Sequence, residues 1–260
     1  MVLKMIKFKK HYKMIILTIF SLFFHSKLFG LETLGGLPAV NVENNPNGGT
    51  TYSLSLQILL LMSALTILPS LLLGMTSFTR IVIVMSILRQ ALGTQQTPPN
   101  QVLIALALFL TFFIMAPTFT NIYELVAIPY MNGEIQTPDA LDKASKEIKS
   151  FMVTNTRETD LSMFAEISGT QQFYSKEEIP FSIALPAFIT SELKTAFQIG
   201  FLLFLPFLVI DMVVASVLMS LGMMMLSPML IALPFKILLF VLVDGWSMTV
   251  GSLVSTYIVQ

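Results

Sequence analysis

Leu54–Leu73 runs for 20 residues without a charge and is interrupted only by Pro69. At 1.5 Å per residue such a run spans the ~30 Å hydrocarbon core of a bilayer, so it predicts a first membrane helix, with a kink near its end. Val102–Phe119 is a second uncharged apolar run, closing near Pro117. From Phe181 the chain turns apolar again and stays so to the end, with Glu192, Lys194, Asp211, Lys236 and Asp244 as its only charges. Pro186, Pro206, Pro228 and Pro234 are expected to break what would otherwise be long helices. The pattern predicts an all-α integral membrane protein: a first hairpin over residues 54–130, an acidic helical loop over 131–185, and a second hairpin over 186–260.

The segments between these runs set the direction of threading. Residues 75–101 carry only Arg80 and Arg89, and the positive-inside rule makes them a cytoplasmic loop. The two arginines are nine positions apart, which puts them on opposite faces of a helix, and the apolar residues between them predict burial on several sides. "TPPN" then opens the next helix with a proline in its first turn. Residues 124–178 hold ten acids and five bases, consistent with an outside location. Within them "TPDALDKASKEIKSFM" predicts a helix, with Thr137 as N-cap, Pro138 at N1 and Asp139 at the positive dipole end. Leu141, Ala144, Ile148 and Met152 form its apolar stripe.

Residues 31–53 are rich in Gly, Asn and Pro and predict a loose exposed segment. Before them, six of the 15 basic residues lie in the first 30 positions, ahead of the short apolar run "MIILTIFSLFF". Eleven helical residues reach only about 16 Å, so residues 1–30 are expected to be a signal peptide. The alternative is an uncleaved anchor, since no Ala-x-Ala cleavage motif follows. With that start inside, two passes, an outside loop and two further passes give four membrane helices.

Composition agrees with the pattern: 55% of the 260 residues are apolar and 12% charged, with a mean hydropathy of +0.79. There is no cysteine, and both histidines, His11 and His25, lie in the leader. Thiol and imidazole chemistry is therefore absent from the mature chain, which is not expected to be an enzyme or to carry a metal or cofactor.

Two features of the last hairpin carry the functional signal. Asp211 and Lys236 are equidistant from the Met223–Met224 midpoint, each roughly 18 Å from the turn along a helix. Opposite charges at one depth relieve the cost of burying either in a membrane. They either pair within the hairpin, pair between neighbouring subunits, or face water separately. The turn itself, "GMMMLSP", has no charge, and six methionines fall between Met212 and Met229. These thioethers fit three roles: flexible core filler, a Cu(I) site lacking any His or Cys to assist it, or a deformable apolar seal.

"PAFITSELKTAFQIGF", residues 186–201, resembles the signature of the FliP family of the flagellar type III export gate. "PFKILLFVLVDGW", residues 234–246, and "RQALGTQQTPPNQVLIALALFLTFF", residues 89–113, are similar to further family blocks. The similarity covers about residues 54 to 250, and Glu192, Lys194 and Asp244 fall within its signatures. The resemblance implies a pentameric ring of this chain that assembles with FliQ and FliR, alongside FlhB and FlhA. That ring would pass unfolded flagellar subunits through a pore in the bacterial inner membrane, with lipid but no nucleic acid as a further partner. It also implies that Met223, Met224 and Met225 form a pore gasket, and that the assembled hairpins stand largely raised out of the bilayer plane. Injectisome secretion systems contain relatives of this gate; the leader and the extracytoplasmic segment favour the flagellar branch. A secondary transporter of small solutes also suits proline-broken helices and intramembrane charges, but predicts two internal repeats, and no convincing repeat is present. A plain membrane anchor needs neither Asp211 nor Lys236.

Overall fold

The computed structural model describes residues 40–44, 50–54, 56–94, 96–169, 175, 178–223 and 226–258. The signal-peptide expectation lies outside these residues. The chain divides into two compact units, residues 1–66 and 67–260.

In the first unit, β1 (Val40–Asn44) and β2 (Thr50–Leu54) pair antiparallel, Val42 opposite Tyr52. A hairpin thus occupies part of what reads as a loose segment. Alternation of Val and polar residues in "VNVEN", answered by "TTYSL", is a period-2 signal hidden among Gly and Asn. α1 (Leu56–Gly74) follows and runs on into the second unit, with Pro69 inside it.

Everything described beyond Leu56 is helical: α2 (Phe78–Ala91), α3 (Asn100–Ile114), α4 (Ala116–Ile122), a π-helical turn at Tyr123–Ala127, α5 (Ile128–Met131), α6 (Thr137–Thr154), α7 (Glu158–Ile167), α8 (Phe181–Ser220), α9 (Pro228–Leu242) and α10 (Gly245–Ile258). α2 is the centre of the second unit. Its Ile81, Val84, Met85, Leu88 and Ala91 are fully buried against Leu103 and Ala107 of α3, Ala196 and Phe207 of α8, Phe240 of α9 and Leu253 of α10.

Three of the four prolines do not break the helices as expected; only Pro228 falls at a break, in the first position of α9. α8 is one helix of 40 residues with Pro186 and Pro206 inside it, about 60 Å long. A helix that packs on both sides of a proline tolerates the single missing hydrogen bond. The bends fall elsewhere. At 75–77 the Thr76 hydroxyl donates to Leu73 O (2.8 Å) and accepts from the Phe78 N–H (3.3 Å), so one side chain ends α1 and starts α2. Asn100–Ile114 bends by 59° into Ala116–Met131, ahead of Pro117, and Pro228–Leu242 bends by 63° into Gly245–Tyr257.

By length and composition α8 alone is able to cross a membrane, and up to four spans result among the described residues if each bent pair counts as one. The outward faces of α8 and α9 are strongly apolar, with Phe201, Leu202, Val209, Met212, Leu230 and Leu238 all exposed. A chain in water does not leave such an area uncovered.

α6 begins one residue earlier than expected. Gln136 is the N-cap, and Thr137 is the first helical residue with Pro138 behind it. Of the α6 stripe, Met152 is fully buried with Met75 and Phe188, and Ile148 packs on them, whereas Leu141 is exposed.

Candidate functional site

Two buried charge clusters sit at the two ends of α2. At its first turn Arg80, 4% exposed, forms an ion pair with the fully buried Glu192 of α8. Arg80 Nε donates to Glu192 Oε2 at 2.9 Å, and its terminal Nη2 binds Oε1, a bidentate geometry that fits guanidinium to carboxylate. A third nitrogen, Nη1, donates to Thr256 Oγ1 at 2.9 Å. The Tyr257 hydroxyl donates to Glu192 Oε2, and its ring lies 3.9 Å below the guanidinium carbon. Phe151 of α6 stacks on Tyr257 and meets Phe188 of α8 edge-on. The cluster therefore joins four helices, and each of its charges is both paired and hydrogen-bonded, the condition under which burial is tolerated.

Arg80 is thus a buried, paired charge; its partner lies 112 positions away, and no local pattern reveals that pairing. Thr256 and Tyr257 were missed for the same reason. Glu192 and Lys194, two positions apart, face different sides, the first buried and the second exposed.

At the other end of α2 the helix stops with Gly93 at φ +77°. Lys236 of α9, 3% exposed, donates from Nζ to Asp211 Oδ2 at 2.6 Å and to the Ala91 carbonyl at 3.0 Å. The structure thus brings Asp211 and Lys236 together within one chain. It adds a third party that the sequence hides: the last carbonyl of α2, the negative end of its dipole, where an ammonium is favoured. Asp211 Oδ1 is enclosed yet has no hydrogen-bond partner. Arg89 reaches the other way, to Asn100 Oδ1 at 2.5 Å and Pro98 O at 3.3 Å, and closes the loop between α2 and α3.

α8 ends in a Schellman motif. Gly222, at φ +73°, donates to Met219 O, and Met223 N–H reaches back to Leu218 O. The glycine of "GMMMLSP" is there because only a residue without Cβ enters this left-handed conformation freely. Pro228 then occupies the first position of α9. Met223 is exposed; Met224 and Met225 lie outside the described residues.

Asp244 has no contact role in the described geometry. It sits exposed at φ +49° between α9 and α10, and its carbonyl accepts from Met248 N–H. Its place in the signature is explained by the backbone, since Asp enters the left-handed region more readily than most residues. Arg157, unremarked in the sequence, fastens α6 and α7 to α8: its N–H donates to Ser191 Oγ, and its guanidinium to Thr195 and Gln198.

Residues 61–253 match the FliP family. The chain belongs to that family. Similar members include the flagellar biosynthetic protein FliP of Cereibacter sphaeroides, 65% identical over 222 residues, covering 85% of this chain and 73% of the relative. The FliP of Bacillus subtilis is 55% identical over 205 residues, 79% and 93% of the two chains. That of Pectobacterium carotovorum is 52% identical over 221 residues, 85% and 86%. Arg80, Glu192, Asp211, Lys236 and the methionine turn fall inside the family match, whereas Thr256 and Tyr257 lie just beyond it.

Proposed function

We propose that this chain is a core subunit of a flagellar protein export gate, building with FliQ- and FliR-like partners a sealed pore for unfolded flagellar subunits. The observation that carries this is the family match, which spans the hairpin with its methionine tip. The relatives it matches are named for flagellar biosynthesis, which favours the flagellar over the injectisome branch. Several copies in a ring would bring their methionine turns to a common axis. There Met223, Met224 and Met225 form a constriction that excludes water by dewetting yet yields to a chain of varied side chains. Unbranched, polarizable methionine suits that better than Val or Ile, which are stiff at χ1. The exposed apolar faces of α8 and α9 are covered by neighbouring copies, partners and lipid of the inner membrane, through which the chain passes several times. The pore works by fit and exclusion, without catalysis.

Affinity purification from membranes with native mass spectrometry tests this. The expected species is a ring of this chain carrying FliQ- and FliR-like subunits; a bare monomer would overturn the proposal.

A further inference from the structure

α2 is held by charge at both ends, and the two ends are built differently. At Arg80 the charged groups are enclosed: the pair is bidentate, floored by Tyr257 and buttressed by Thr256. At Lys236 the pair is single, its Asp211 side chain is 37% exposed, and one Asp211 oxygen is enclosed without a donor. Both Glu192 oxygens have donors, whereas one Asp211 oxygen has none, so the second pair opens at lower cost.

We propose that Lys236 is a latch: it fastens the methionine-bearing hairpin of α8 and α9 to the C-terminal carbonyl of α2, while Arg80 anchors the opposite end of that helix as the fixed point. The proposal rests on the gate reading above. Lys236 lies two turns into α9, and Met229, in the first turn of α9, lies beside Gly93 at the end of α2. A β-carbon on Gly93 would stand 3.8 Å from Met229 Cε and 4.0 Å from Lys236 Nζ. Ala91 lies in the core cluster, so the carbonyl offered to Lys236 belongs to a fixed frame. Releasing the ammonium from that carbonyl loosens the first turns of α9, and with them the methionine turn, while Phe240 stays packed in the core. Lys236 and Asp211 are thus positioning residues for the seal.

A simple ion pair and a latch on the carbonyl make opposite predictions for one double substitution. Exchanging the charges, Asp211→Lys with Lys236→Asp, keeps an ion pair, but leaves Ala91 O facing a carboxylate that donates nothing at the negative end of a helix dipole. The measurement is small-solute uptake by cells overproducing this chain with its FliQ- and FliR-like partners. Native mass spectrometry reports the complex in parallel.

Lys236→Met is expected to assemble and to leak several-fold more than the parent. Lys236→Arg, which still donates to both acceptors, should restore the seal, and the exchanged pair should assemble but stay leaky. A tight Lys236→Met complex, or an exchanged pair as tight as the parent, overturns the latch. Replacing Met223, Met224 and Met225 by alanine is the control that separates the two claims. If that variant leaks while Lys236→Met does not, the latch fails and the gate stands. If both complexes assemble and neither leaks, the gate reading falls and takes the latch with it. Should Lys236→Met fail to assemble, Asp211→Asn, which keeps the Ala91 contact, must assemble and leak less than the exchanged pair. A leak as large as that of the exchanged pair would overturn the proposal.

Discussion

Gly200 and Ile87 meet where α8 crosses α2, and a β-carbon on Gly200 would stand 2.4 Å from Ile87 Cδ1 and 3.2 Å from its Cβ. Ala196, one turn earlier on the same face, is fully buried. Gly200→Ala gains helix propensity of roughly 1 kcal/mol, but Ile87 is β-branched and stiff at χ1, so it yields poorly. Overpacking at roughly 1–3 kcal/mol wins. Thermal unfolding in detergent should show a lowered Tm for Gly200→Ala and recovery when Ile87→Ala is added; additive losses would show that the crossing is looser than described.

Glu192→Gln keeps the shape of the Arg80 cluster and strands a buried guanidinium. The expected loss is about 3–5 kcal/mol, whereas replacing both partners by methionine should cost far less. Yield and unfolding temperature of the two variants decide between them. A mild Glu192→Gln would mean that water reaches Arg80.

Asp244 separates a backbone requirement from a side-chain one. At φ +49°, glycine and asparagine should be tolerated, and valine should cost roughly 1–3 kcal/mol. If Asp244→Asn lost motility in a cell depending on this chain, the carboxylate itself would be needed.

The exposed Asp142–Lys146 pair on α6 is the opposite case. Its hydrogen bond and then the Asp142 charge raise the Lys146 pKa above the ordinary value. Any stability from that shift is complete below the unfolded lysine value, near pH 10, and fades as pH climbs through the raised one. Lys146→Ala should therefore unfold at the parent temperature between pH 6 and 8, within about a degree, because screening leaves so exposed a pair little weight. A clear drop would show that α6 depends on it.

The run lengths made the helical character legible, because a bilayer imposes one dimension on every span. Asp211 and Lys236 were legible as a pair because a hairpin maps equal sequence distance onto equal depth. That logic fails for Arg80 and Glu192, which no turn relates and which meet only because α2 packs across α8. Proline was over-weighted: it costs a hydrogen bond, but Pro186 and Pro206 sit in a helix held along its length, and the breaks follow Thr76 and Asp244 instead. The second acceptor of Lys236 is a backbone atom, invisible to any reading of side chains.

α8 carries Glu192 toward Arg80 and Asp211 toward Lys236 on one uninterrupted rod. Nineteen steps of about 100° fix the angle between those two directions, and no joint intervenes to correct it. The stretch between them behaves like the shaft between two keyed gears. Adding or removing a single residue anywhere along it would turn one key out of its slot, so substitutions there are negotiable and length is not.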